Sequence, residues 1–249
     1  MVYGIVFTII LLASGLFSML GLGGALVYVP VLKWAGFPVK EVAIPTGLIL
    51  NGLTTLFALV TYARSKLVDW KGGLALTISA FVFAPLGAYA TNLIPVRTLL
   101  FIFAIAVIVA AARMILFSRQ PEPESVMSFK KRSVIGAIVG GFAGFIAGLL
   151  GIGGGFIIAP LLMWMGYKTK EAAATTAFAV TFSSFSGFLG HVAEGHFNWT
   201  VIVMMAFAVL VGSQVGSRFM VSKAKPKWVK QLYALVLLVI AAKLIVGVF

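Results

Sequence analysis

The chain has 249 residues, of which 61% are hydrophobic and only 10% are charged. Soluble domains carry about 25% charged residues, so this composition excludes an ordinary soluble protein and indicates an integral membrane protein. The net charge of +13 would suit a nucleic-acid-binding protein. However, the cations lie mostly between apolar runs, where topology signals and anionic lipid headgroups account for them, and we expect no nucleic-acid partner.

Six uncharged runs follow one another along the chain, and each reaches the roughly 20 residues that span a bilayer. They are Val2–Leu32, Val42–Ala63, Gly72–Val96, Ser133–Tyr167, Ala172–Ala193 and Phe197–Ser217. Two further runs, Thr98–Ser118 and Gln231–Phe249, each contain one cation that can snorkel to the interface. Since the apolar–polar alternation of an outer-membrane barrel is missing, the predicted fold class is an all-α integral membrane protein.

The two halves of the chain match each other at an offset of 130 residues. The segments LGLGGALVYVPVLKWAGFPVKE (Leu20–Glu41) and LGIGGGFIIAPLLMWMGYKTKE (Leu150–Glu171) are identical at 10 of 22 positions. Such a match predicts an internal duplication, as in many secondary transporters. We therefore expect a first repeat over residues 1–117, a cytoplasmic linker over 118–132 and a second repeat over 133–249.

The distribution of cations indicates how the chain crosses the membrane. Four simple spans in each half would divide the 19 Lys and Arg residues almost evenly between the two sides. If the first segment of each half enters and leaves on the same side, 15 of the 19 lie with the linker, as expected of a cytoplasmic face. Each half then crosses an odd number of times. We expect two inverted-topology repeats in the cell inner membrane, each a glycine-broken hairpin of two short helices, or a re-entrant segment, plus three transmembrane helices.

A glycine motif interrupts the first apolar run of each half. Glycine costs roughly 1 kcal/mol relative to alanine inside a helix, so a helix that only crosses the bilayer has no reason to carry several. The N-terminus of a half-helix offers free N–H groups and a partial positive charge, which can bind an anion. Close helix packing is the alternative, and Pro30 and Pro160 are expected to bend or end the following half-helix. The candidate glycines are Gly21, Gly23, Gly24, Gly151, Gly153, Gly154 and Gly155.

The next segment of each half carries polar side chains along one helical stripe. Hydroxyl and amide groups can hydrogen-bond an oxyanion without adding charge, and hydrogen bonding between helices is the alternative use. The candidate substrate-binding residues of these stripes are Thr46, Asn51 and Thr54 in the first half and Thr176, Ser183, Ser184 and His191 in the second. Gln214 is a further polar group within a predicted span.

The segment HVAEGH (His191–His196) resembles a metal-binding H-x-x-E-H motif. The inserted Gly195 breaks the spacing that such a motif needs on a helix. We therefore expect no metal, no cofactor and no catalytic residues. An intramembrane enzyme that uses His191, Glu194 and His196 is the less favoured alternative.

The paired openings GLGGALVYVP and GIGGGFIIAP, each followed by W-x-G and a KE(V/A)A…T helix start, resemble the TauE/SafE family. The resemblance covers essentially the whole chain and implies a secondary transporter of sulfite, organosulfonates or similar small anions in a bacterial or archaeal inner membrane. The two copies differ, since Asn51 lies over Thr181, so a site between them need not be symmetric. An anion-selective channel shares these features and stays open as an alternative. The expected partners are a small organic or sulfur oxyanion and the lipid bilayer, with a homodimer left open.

Overall fold

The described part of the chain is helical, which confirms the predicted all-α class. The computed structural model describes residues 2–91, 93–95, 98, 101, 105, 108, 112, 122–123, 125–192, 197, 199–232, 234–235 and 238–239. Its helices are α1 (Val2–Met19), α2 (Ala25–Trp34), α3 (Ile44–Arg64), α4 (Trp70–Ala90), α5 (Phe129–Leu150), α6 (Gly155–Trp164), α7 (Thr169–His191) and α8 (Trp199–Ser222). One π-helical turn, Val39–Ala43, leads directly into α3.

Six of these helices are long and apolar enough to cross a membrane, namely α1, α3 with its π-helical turn, α4, α5, α7 and α8. By contrast, α2 and α6 have 10 residues each, so they reach only about 15 Å, half the thickness of the hydrocarbon core. The further spans predicted over 98–118 and 231–249 lie largely outside the described residues. The chain therefore combines full-length spans with two half-length helices.

The helices of the two halves repeat with the offset found in the sequence. Both bounds of α6 lie 130 residues after those of α2. The glycines with left-handed backbone repeat as well: φ is 69°, 69° and 92° at Gly21, Gly23 and Gly36, and 71°, 64° and 96° at Gly151, Gly153 and Gly166. Because an L side chain is strained at such φ values, glycine is needed at both ends of each short helix.

A lysine of each repeated Lys-Glu pair closes the fourth helix of its own half. The Lys40 Nζ atom donates to the Thr91 carbonyl oxygen over 3.3 Å, and the Lys170 Nζ atom donates to the Val221 carbonyl oxygen over 2.8 Å. Carbonyl groups in the last turn of a helix have no partner within the helix, and a cation there also favours the helix dipole. The repeated lysines thus have the same structural role in both halves.

Two expectations about the first segment of each half need correction. The helix before the glycines is not short, since α1 has 18 residues and α5 has 22. The reason is that the glycines lie near the end of each long apolar run, so only the second arm is short. Pro30 and Pro160 also do not end their helices, because α2 and α6 continue for four residues beyond them.

The tightest helix packing joins one half to the other. Every fourth residue of α5 is a glycine that faces α4: Gly136, Gly140, Gly144 and Gly148. A Cβ atom on Gly144 would collide with the Ala80 carbonyl oxygen, and one on Gly148 with that of Ala84. In the same way, α8 brings Gly212 and Gly216 against α1, where a Cβ on Gly216 would collide with the Gly15 carbonyl oxygen. Small residues allow such close approach in membranes, where apolar packing against lipid offers no net gain.

All five tryptophans keep between 45% and 64% of their surface exposed. Trp34 and Trp164 end the short helices, Trp70 and Trp199 begin α4 and α8, and Trp228 lies in a helical stretch over 226–232. Tryptophan at helix ends is typical of the interface between lipid and water. The placement agrees with a multi-pass membrane protein.

We expect alanine at Gly144 or Gly148 to destabilise the protein by about 1–3 kcal/mol, because the new methyl group overpacks the α4–α5 contact. Thermal unfolding in detergent measures the effect, as a melting temperature lowered by several degrees. Gly4→Ala is the matched control, since a Cβ atom on Gly4 meets nothing within 4 Å. Equal melting temperatures for Gly144→Ala and Gly4→Ala would contradict the assigned packing.

Candidate functional site between the glycine turns

The turns that precede α2 and α6 meet inside the protein. A Cβ atom on Gly155 would lie only 2.8 Å from the Leu22 Cα atom, so backbone of the second turn touches backbone of the first. Each turn also rests on the third helix of the other half. A Cβ atom on Gly21 would collide with the Ala173 carbonyl oxygen, and one on Gly151 would lie 2.6 Å from Cγ2 of Ile44. The candidate glycines of both halves are therefore brought together.

Asn51, on α3, lies between the two turns and is fully buried. Its Oδ1 atom accepts a hydrogen bond from the Ala25 backbone N–H over 2.8 Å, and its Nδ2 atom donates to the Ser184 hydroxyl over 2.8 Å. A Cβ atom on either Gly23 or Gly153 would collide with this amide. One side chain thus joins the start of α2, the middle of α7 and both glycine turns.

This bond changes the expected chemistry at the start of α2. The first N–H groups of a helix have no partner within it, and they were expected to face an anion. In the structure the Asn51 oxygen accepts from the first of them. The backbone N–H groups of Val27 and Tyr28 both turn back to the Gly24 carbonyl oxygen. The amide oxygen therefore occupies the position that an oxyanion oxygen would take at this helix end.

Hydroxyl groups continue the polar contact on either side of Asn51. The Thr181 hydroxyl donates to the Thr55 hydroxyl over 2.9 Å, so α7 and α3 are joined a second time. The Thr54 hydroxyl lies 2.9 Å from the Tyr28 hydroxyl, which ties α2 to α3. Tyr28, which is completely buried, was missed by the sequence analysis because one aromatic residue in an apolar run gives no signal of its own.

Thr176, on α7, carries a buried hydroxyl without a hydrogen-bond partner among the described residues. Such a group costs about 1–3 kcal/mol, and threonine usually avoids the cost by bonding within its own helix. The neighbouring candidate Ser183 does so, since its hydroxyl donates to the Val180 carbonyl oxygen over 3.3 Å. Thr46, the counterpart of Thr176 on α3, is also buried.

Two candidate residues make contacts elsewhere. The His191 Nε2 atom lies 3.0 Å from the Gly148 carbonyl oxygen in the last turn of α5. The Gln214 Nε2 atom donates to the Phe57 carbonyl oxygen over 2.6 Å and so joins α8 to α3. Glu194 and His196, the remaining members of the histidine motif, lie outside the described residues. Among the residues that the structure does describe, no group of three or more His, Asp or Glu side chains could hold a metal ion.

The residues around the two turns are uncharged: glycine backbone, one amide and several hydroxyl groups. Backbone dipoles of this kind can stabilise an anion without a buried cation, because concave runs of N–H groups act as fixed partial positive charges. They would hold a cation poorly at a helix N-terminus. The chemistry of the site therefore suits a small oxyanion better than a metal ion or a cationic substrate.

The sequence comparisons agree with this architecture. The family model for "Sulfite exporter TauE/SafE" matches residues 6–244. The probable membrane transporter protein YunE of Bacillus subtilis is 27% identical, over 96% of each chain. The probable membrane transporter protein YfcA of Escherichia coli K12 is 26% identical, over 97% of this chain and 89% of its own. No solved structure matches the chain significantly.

We expect Asn51→Ala to lower the free energy of unfolding by about 1–3 kcal/mol, because it leaves the Ala25 N–H and the Ser184 hydroxyl buried without their partner. Thermal unfolding in detergent gives the difference. Thr8→Ala is the control, since the Thr8 hydroxyl bonds only to the Gly4 carbonyl within α1 and is exposed. If both variants unfolded at the same temperature, Asn51 would have no part in holding the turns together.

Proposed function

Since the chain belongs to the TauE/SafE family of membrane transporters, we propose that it is a secondary transporter that moves small sulfur-containing anions of the sulfite and organosulfonate class by alternating access. The observation that carries the proposal is the meeting of two glycine turns, each at the start of a half-length helix, around one buried amide. The printed names of the relatives favour transport over an intramembrane enzyme.

The site that we propose lies where the two turns meet. Backbone N–H groups at the starts of α2 and α6 would hold the anion, while the amide and hydroxyl groups would orient it. When the turns part, an oxyanion oxygen can replace the Asn51 oxygen at the Ala25 N–H, and the unpartnered Thr176 hydroxyl is available as a second donor. Supporting positions are Gly21, Gly23, Gly24, Thr46, Thr54, Gly151, Gly153, Gly154, Gly155, Ser183 and Ser184, with His191 and Gln214 at a greater remove.

Helix directions support the proposal that the two halves are inverted. Gly136, Gly144 and Gly148 meet Leu76, Ala80 and Ala84 in that order, so α4 and α5 run parallel. The Thr175 side chain packs against Gly73, near the start of α4, and the Ser186 hydroxyl donates to the Phe81 carbonyl oxygen further along, so α7 runs the same way.

The first helix runs in the other direction. The start of α7 lies beside the end of α8, because Lys170 bonds to Val221, so these two helices are antiparallel. The contacts of Gly212 with Leu11 and of Gly216 with Gly15 make α1 parallel to α8. It follows that α1 and α5, the opening helices of the two repeats, point in opposite directions, as inverted repeats require.

The closest contacts suggest which bodies would move. Glycine packing joins α4 to α5 and α1 to α8, and each pair takes one helix from either half. We therefore propose that alternating access moves these exchanged pairs relative to one another, rather than one sequence half against the other. We further propose that the protein lies in the inner membrane with the linker over 118–132 in the cytoplasm, as the cation count favours.

A carrier and an anion channel differ in exchange. In proteoliposomes loaded with unlabelled sulfite, a carrier should accumulate external labelled sulfite transiently by counterflow, and its flux should saturate. Sulfate, thiosulfate, taurine, sulfoacetate and simple carboxylates, added as competitors, would define the substrate class. Linear flux without counterflow would identify a channel instead.

We expect Gly153→Ala to abolish transport or reduce it at least tenfold, because its methyl group would displace Asn51 from between the turns. Gly36→Ala is the matched control. Gly36 also has a positive φ, of 92°, so it carries a similar backbone strain, but a Cβ atom there meets nothing within 4 Å. Both variants should be found in the membrane fraction. Equal transport by the two would contradict a site at the turns.

A further inference from the structure

A polar cluster joins the two halves at the end of the bundle where α4, α5 and α7 begin. Asp69, directly before α4, accepts a hydrogen bond from the Gly72 N–H through Oδ1 over 2.8 Å and forms an ion pair with Arg132 through Oδ2. The Tyr167 hydroxyl donates to the same Oδ2 over 3.0 Å and accepts from Arg132 over 3.0 Å. The Asp69 backbone N–H donates to the Thr175 hydroxyl over 3.1 Å. We name Asp69, Arg132, Tyr167 and Thr175 the linker-end clamp.

The clamp is unusual within this protein. Although the chain has 19 Lys and Arg residues, Arg132–Asp69 is the one ion pair found within the described residues. Asp69 belongs to the first repeat, while Tyr167 and Thr175 belong to the second and Arg132 directly precedes it. The clamp therefore closes a contact between elements that alternating access must separate.

The opposite end of the bundle lacks the same groups. The offset of 130 places Val2 over Arg132, Phe37 over Tyr167 and Pro45 over Thr175, and the one-residue gap places Asn198 over Asp69. None of these four can form an ion pair, and Val2, Phe37 and Pro45 have no polar side-chain group. Since the backbone of the two halves otherwise repeats closely, this difference lies in the side chains and separates the two ends energetically.

The clamp also lies next to the proposed site. Its Thr175 adjoins Thr176, whose hydroxyl is buried without a partner, and Ala173, whose carbonyl oxygen backs the Gly21 turn. The first two turns of α7 are therefore held by the clamp on one side and close over a glycine turn on the other. Movement of this segment would open the site toward the linker end.

The clamp has the properties of a contact that forms and breaks. Burial, followed by the Asp69 carboxylate, raises the pKa of Tyr167 to about 12, so its hydroxyl stays a donor at neutral pH although Arg132 opposes the shift. Arg132 lies over the rings of Phe129 and Tyr167, yet its buried Nε atom has no partner in the described part of the chain. Partly exposed ion pairs stabilise only weakly, which suits a contact that must open in every cycle.

We infer that the linker-end clamp is the gate that closes the substrate path at the linker end, and that the opposite end closes by apolar packing. The inference rests on the proposed transport by alternating access and adds the residues that control one side of it. Loss of the clamp should shift the population toward the state that is open at the linker end.

The chain contains no cysteine, so a single reporter has no background. Ala177→Cys places a thiol on α7 between the clamp and the glycine turns, at a fully buried position. We expect Asp69→Asn to make this thiol react about tenfold faster with a membrane-impermeant maleimide in inside-out vesicles, the change that ~1.4 kcal/mol produces in a two-state equilibrium. Asparagine can still accept from the Gly72 N–H, so the variant removes the ion pair and keeps the helix cap.

Tyr167→Phe, which removes one hydroxyl, should change the rate in the same direction and serves if Asp69→Asn unfolds. Glu171→Gln is the control: it neutralises a carboxylate at the same end that accepts only from the Lys168 backbone N–H over 3.3 Å. Unchanged labelling in Asp69→Asn and Tyr167→Phe, or faster labelling only in right-side-out vesicles, would overturn the inference. The assay contains no substrate, so a failed gate is distinct from absent counterflow by the unmodified protein, which would overturn the proposed transport.

Discussion

The hydrogen bonds of Asn51 are the constraint on which the centre of the structure depends. A helix that begins inside the protein leaves N–H groups without water, and each such group must find a partner there. Asn51 provides one to α2 and at the same time bonds to Ser184 of the other half. Because a second carbon atom on Gly23 or Gly153 would occupy the space of this amide, both glycines follow from the same requirement.

Around this centre the two halves exchange helices. Backbone contacts that only glycine allows join α4 to α5 and α1 to α8, so neither half has a separate core. In a membrane, where lipid competes equally for apolar surface, close backbone approach is the main source of such association. The duplication is therefore a unit of sequence, whereas the pairs that pack tightly are made from both copies. This separation is the physical basis for the movement that we propose.

The departures from symmetry give the protein a direction. Asn51 lies over Thr181, and the charged clamp at one end lies over apolar residues at the other. If the two repeats were identical, both end states of the transport cycle would have the same energy. Side chains that differ between otherwise matching positions can favour one state, and they do so without changing the fold.

Composition, charge and the internal repeat determined the class of this protein from sequence alone: helices in a membrane, a duplication offset by 130 residues, and two glycine breaks at matching positions. These features are local or periodic, so they are readable along the chain. The lengths of α1 and α5, the partners of Asn51, the stripe of Gly136, Gly140, Gly144 and Gly148, and the pairing of Asp69 with Arg132 were decided only in three dimensions. The glycine spacing of four could have suggested the stripe. Its partner helix could not be read from the sequence, because each of these contacts joins residues that are far apart in the chain.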